Sequence, residues 1–202
     1  MSPDKRSAET TTQLRSALIE HARRLIAREG AAALTMRALA TEAGCAVGLP
    51  YKVFADRHEI VAAIVHTELD RLRAARDELI QRAGSGTVGG NLAWFAAVFL
   101  DSPAVALTQE LLADEALRQS VTATAHDNGM GPSAFPRVLS RYLAAEKQAG
   151  RVAPDTDEDA FGFLIASALH NLLVAGEAWP RPTRPELEQI LTATATAIAA
   201  AR

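Results

Sequence analysis

Between Thr35 and Phe54 the chain reads TMRALATEAGCAVGLPYKVF, and no other stretch restricts the fold as tightly. Leu34 and Leu39 stand five apart across Thr35, so Thr35 can cap a helix whose entry the two leucines staple. Leu39, Ala40 and Ala43 give that helix an apolar face. Gly44 comes next, where the chain must turn, and glycine takes a left-handed conformation at little cost. About eight residues then remain for a second helix before Phe54, ending in Tyr51 and Lys52. A helix so short is marginal alone and must be held by its neighbours. Helix, glycine turn and short helix together predict a helix-turn-helix, whose second helix can lie in a DNA major groove.

The surrounding residues extend the pattern. From residue 30 to 65 the order is Gly30, Leu34-Thr35, a small-residue helix, Ala43-Gly44, Tyr51, Phe54 and an acidic-capped long helix through Asp56 and Ile60. This order resembles the DNA-binding region of the TetR family of transcriptional regulators. The resemblance implies an all-α protein: a three-helix helix-turn-helix head over 1–55, and a ligand-binding and dimerising bundle over 56–202. It also implies a repressor that binds a palindromic double-stranded operator as a homodimer and is released by a small-molecule effector. Carried over by position, Thr35, Tyr51 and Lys52 match phosphate-contacting residues, and Arg57 stands where the family often has lysine. Val47, Gly48 and Leu49 match base-facing positions. The sequence departs from the family at Ala46, in place of a common polar cap, and at Pro50, in place of an aliphatic residue. Because Val47-Gly48-Leu49 offers no side-chain hydrogen bonds, readout leans on thymine methyls, close backbone approach, Arg37 or DNA shape.

Charge has to be divided before it is informative. The net charge is −3, but residues 1–60 carry nine Lys and Arg against seven Asp and Glu, and the acidic excess lies beyond them. Alanine and leucine dominate a chain that is 49% hydrophobic and only 5% aromatic, which favours packed helices over strands. One cysteine excludes an internal disulfide and fits a reducing cytoplasm. The start, MSPDKRSAET, has no apolar signal core, and no apolar run approaches the ~18 residues of a membrane span.

Taken in order, the first nine residues are expected to be loose, with Thr10 and Gln13 boxing the start of a helix that Gly30 ends. Its Arg15 and Arg23 either reach phosphates or stand as solvated charges. Asp56 and Glu59 form a second box, opening a helix that runs to about Arg82 and links head to body. GSGTVGG, residues 84–90, reads as a flexible connector. Five or six more helices come after it, about nine in all: NLAWFAAVFL, one from Ser102-Pro103, one or two over 113–126, and one from Ser133 to Gln148. The last two cover about 157–177 and 184–201, the latter boxed by Thr183 and Glu186. In this last pair Ala166, Ser167, Ala168, Ala193, Ala195, Ala197 and Ala199 allow close approach, and the resemblance implies an intersubunit four-helix bundle there.

Catalysis is not expected. There is no glycine-rich phosphate loop, nucleophile elbow or paired-cysteine site, and His66 comes too late after His58-Glu59 for a zinc-protease motif. No metal or cofactor is expected either, and Cys45 reads as a small buried hydrophobe rather than a thiol sensor. Trp94, Phe95, Phe99, Phe135, Tyr142 and Phe163 lie on segments expected to converge. With Gln109, His126 or His170 they are candidates to line an apolar effector cavity, the alternative being a filled core. A helical interaction module without specific DNA readout is the rival function.

Overall fold

The structure, a computed structural model, describes residues 3–127, 133–174, 179–180 and 182–200, with side chains given except at 3–9, 104, 109, 110, 112, 120, 124 and 127. The described residues are helical, and their one β pairing is a single antiparallel bridge, Val152 to Ala199. Among them no helix is long and apolar enough to cross a membrane. Contacts divide the chain into two compact units, Met1–Glu68 with Pro103–Val121 and Leu69–Ser102 with Thr122–Arg202. The first unit holds the 1–55 head together with the start of the following helix and residues 103–121.

In the first unit, α1 (Pro3–Glu29) begins earlier than the sequence predicts. Proline is tolerated in a first helical turn, where its missing N–H has no partner to lose, and nothing between Ser7 and Gln13 forces a break. Thr10 therefore lies inside the helix instead of capping it. Leu18, Ala22, Leu25 and Ile26 recur at helical spacing and are buried. Gly30, at φ 83°, ends the helix with its N–H on the Ile26 carbonyl. A 3₁₀ turn (Ala31–Ala33) leads to α2 (Met36–Glu42), and Thr35 Oγ1 caps it by accepting the Ala38 N–H at 3.1 Å. Leu34 and Leu39 are both fully buried, as the staple requires. Asp56 caps α3 (Arg57–Gln81) through the Glu59 N–H, but the Glu59 carboxylate bonds the Ala55 N–H instead of returning to Asp56. Short helices α5 (Pro103–Ala106) and α6 (Thr108–Ala113) and the start of α7 (Glu115–Asp127) complete this unit. They bury Leu107 and Leu117, and Asp114 pairs with His58.

The second unit packs the later turns of α3 with α4 (Val88–Leu100), α8 (Ala134–Gln148), α9 (Glu158–Val174) and α10 (Arg184–Ala197). Its core holds Leu79, Leu92, Phe95, Leu139, Tyr142, Leu143, Ile165, Leu169, Leu191 and Ile198. Residues 84–87 are a pinned turn and not a loose connector. Arg151 donates to the Gly86 and Ser85 carbonyls at 2.8 and 3.0 Å, and the Gly84 N–H reaches buried Glu146. Thr87 then caps α4, so Gly89 and Gly90 are helical; a Cβ on Gly89 would come 2.7 Å from Thr192 Cα of α10. The Thr183–Glu186 box forms as expected, and Asp157 caps α9 by accepting the Asp159 and Ala160 N–H groups.

Candidate nucleic-acid interface

The turn after α2 closes as its sequence dictates. Gly44 sits at φ 63°, its N–H bonds the Thr41 carbonyl, and the Cys45 N–H bonds the Ala40 carbonyl. These two bonds satisfy the last carbonyls of α2 in a Schellman motif. The segment from Ala46 to Val53 is wound more tightly than the expected eight-residue helix. The Leu49, Lys52 and Val53 N–H groups each reach back three residues, to Ala46, Leu49 and Pro50, and Pro50–Lys52 is a 3₁₀ turn. An α-helical register from Ala46 would need a residue-50 N–H to reach the Ala46 carbonyl. Proline has none, so the Leu49 N–H takes that carbonyl at 2.8 Å and the turn stays 3₁₀.

Side chains from α1 and α3 hold this turn. Phe54 is buried, and the Arg15 guanidinium lies 4.4 Å over its ring. The same guanidinium donates to the Val53 carbonyl at 3.1 Å and to Glu59 at 2.9 Å. The Ala55 N–H, then Arg15, hold the Glu59 carboxyl below its ordinary pKa. Arg57 donates to the Leu34 and Ala31 carbonyls at 2.6 and 3.0 Å, bracing the loop that leads into α2. Arg23 pairs with Glu20 and with buried Glu68, and Arg24 and Arg28 share Glu42. Two basic side chains remain among the described residues of the head. Arg37 and Lys52 are exposed, with no ion pair or side-chain hydrogen bond among the described residues. Thr35, Ala46, Val47, Gly48 and Tyr51 are exposed with them, Leu49 and Cys45 are half-buried, and Pro50 is buried.

Residues 18–64 match the family model for bacterial regulatory proteins of the tetR family. This is a TetR-family helix-turn-helix domain. Over most of the chain the fold is similar to that of solved TetR-family regulators. A putative TetR-family regulator from Mesorhizobium loti is 17% identical with a TM-score of 0.64, the alignment covering 93% of this chain and 95% of that one. A TetR-family regulator from Agrobacterium tumefaciens is 15% identical with a TM-score of 0.66, covering 94% and 100%. The ketosteroid transcriptional regulator of Mycobacterium tuberculosis is 19% identical with a TM-score of 0.58, covering 93% and 95%. At these identities the likeness is one of fold. No curated protein matches the sequence.

In the second unit, only part of the aromatic set expected around an effector comes together. Phe135 stacks on Phe99 at 4.3 Å and meets Phe95 at 5.9 Å. Trp94 lies under the Arg82 guanidinium, and Tyr142 is fully buried with its hydroxyl toward the Val88 carbonyl. Phe163, His126 and His170 are exposed, and the Gln109 side chain lies outside the described residues. Among the described residues of this unit an apolar groove of about 1070 Å³ lies elsewhere, on α9 and α10, lined by Leu164, Ala168, Leu172, Trp179, Leu187 and Ile190. Leu164 and Ile190 are 59% and 53% exposed. Of the small residues on these helices, Ala166 and Ala195 are buried within the protomer, while Ser167, Ala168, Ala193, Ala197 and Ala199 are exposed.

Proposed function

We propose that this chain is a dimeric, ligand-responsive transcriptional repressor that binds a palindromic double-stranded operator through its TetR head. The observation that carries this reading is the pair of uncommitted cations, Arg37 and Lys52. The other described basic side chains of the head are tied to carboxylates or carbonyls, which leaves these two to meet phosphate. Thr35 and Tyr51 supply neutral phosphate contacts beside them, and residues 46–49 face the bases. Arg57 serves the interface indirectly, by fixing the Ala31–Leu34 loop. Two heads on a palindrome must sit about one DNA turn apart, roughly 34–36 Å, so dimerisation is part of the function. The exposed apolar face of α9 and α10 is the surface we assign to it, as an intersubunit four-helix bundle. Half-buried Trp94, Phe99 and Phe135 are the aromatic side chains a small apolar effector would touch. The fold shared with a ketosteroid regulator supports an apolar effector. The effector acts by favouring dimers whose heads no longer match the operator spacing. Such a regulator works in the cytoplasm, and no step of its action makes or breaks a covalent bond.

The test is binding of the full chain to duplex from upstream of its own coding region, measured by fluorescence anisotropy over a range of salt. A repressor should show affinity well above that for random duplex and a steep salt dependence. A helical interaction module of the same fold would show neither.

A further inference from the structure

We infer that the head recognises thymine by its methyl group, with Val47 as the residue that reads it; this rests on the DNA-binding reading above. Between the Schellman turn and Pro50 the exposed tip is Ala46, Val47 and Gly48, with Leu49 half-buried, so its side chains contain no hydrogen-bond donor or acceptor. Val47 is the large apolar group there, 46% exposed. Gly48 stands next to it with no heavy atom within 4 Å of where a Cβ would be, so the backbone can come close to a groove floor. Tyr51, four residues on from Val47 and 57% exposed, and exposed Lys52 stand at the rim of the same tip, where the proposed interface sets them on phosphates. Arg37 offers the alternative, a polar contact to guanine. It lies in the first turn of α2, the helix that crosses the backbone in a helix-turn-helix, and this places it toward phosphate.

The chemistry then selects the base. In the major groove the C5-methyl of thymine is the apolar group among the base edges, while cytosine, guanine and adenine present donors and acceptors. Pressing Val47 on such an edge strips water from polar groups and gives no hydrogen bond in return, whereas pressing it on the methyl buries apolar surface on both sides. One tip per half-site therefore places a thymine at a fixed position in each half.

The experiment selects duplexes from a random-sequence pool with the full-length protein, then remakes the selected duplex in two forms. In one, uracil replaces thymine, removing only the methyl; in the other, 7-deazapurines remove the N7 acceptors. The expected result is a fixed thymine in each half-site, binding weakened on the order of tenfold by uracil, and little change with 7-deazapurine. Val47→Ala, a truncation at an exposed position, should bind the thymine and uracil duplexes alike. Equal wild-type affinity for the two, or sensitivity to 7-deazapurine alone, would overturn methyl readout while leaving DNA binding intact. Failure to enrich any duplex would overturn both.

Discussion

Arg15 ties together three parts of the head. Its guanidinium covers Phe54 and bonds Val53 and Glu59, so it joins α1, the end of the reading turn and the start of α3. Arg15→Gln should destabilise the head by about 1 kcal/mol, through the loss of one cation–π contact and of the part-exposed hydrogen bonds to Val53 and Glu59. It should weaken DNA binding while leaving the salt slope unchanged, since no phosphate contact is lost. Urea unfolding and salt-titrated anisotropy on the same preparation check both parts. None of this was legible in the sequence, because Glu59 lies 44 residues from Arg15 and only the fold brings them within 2.9 Å. The caps at Thr35 and Thr183 were legible, since donor and acceptor there stand three residues apart.

At the scale of elements, proline and glycine carry most of the information, and they carry it unequally. Pro50 signals its own effect, and the recognition element is a 3₁₀ turn because one N–H is missing. The glycines at 84–90 mislead: composition reads them as loose, but partners some sixty residues away, Glu146 and Arg151, fix the turn. Burial pushes the Glu146 carboxyl up, but the bonds from Arg151, Tyr142 and the Gly84 N–H prevail and hold it below its ordinary pKa. Tyr142 is pushed upward by burial and then by Glu146. A carboxyl lowered in the folded state adds stability that is complete above its unfolded pKa and lost as pH falls through the folded value. Glu146→Gln should therefore flatten the acid side of a stability-versus-pH curve, measured by urea unfolding at successive pH values. Gly162 is set by packing instead, since a Cβ there would stand 2.6 Å from the Ser140 N at the contact of α8 and α9. Gly162→Ala should lose about 1–3 kcal/mol by overpacking. Gly48→Ala, in open space and without positive φ, should be nearly silent in the same urea assay.

For the whole molecule, the proposed repressor acts as two copies on one operator. The Leu164, Ala168 and Leu172 stripe of α9 and the Leu187 and Ile190 stripe of α10 leave apolar surface exposed on one protomer. Sedimentation should give twice the 21.5 kDa chain mass at micromolar concentration. Leu164→Glu, at a position already exposed in the protomer, should shift it toward one chain mass without unfolding it. The helical class, the head and the last two helices were readable from periodicity and caps, because those signals are local. The grouping of the aromatic side chains was not, because convergence of Phe95, Phe99 and Phe135 without Phe163 depends on how α4, α8 and α9 pack. If the cations left without protein partners are the ones that meet DNA, Lys52→Ala is the most direct test, with log affinity for duplex DNA measured against log salt. The expected result is weaker binding to selected and random duplex alike, with the slope reduced by about one unit per bound protomer. An unchanged affinity and slope in a folded Lys52→Ala protein would contradict that assignment.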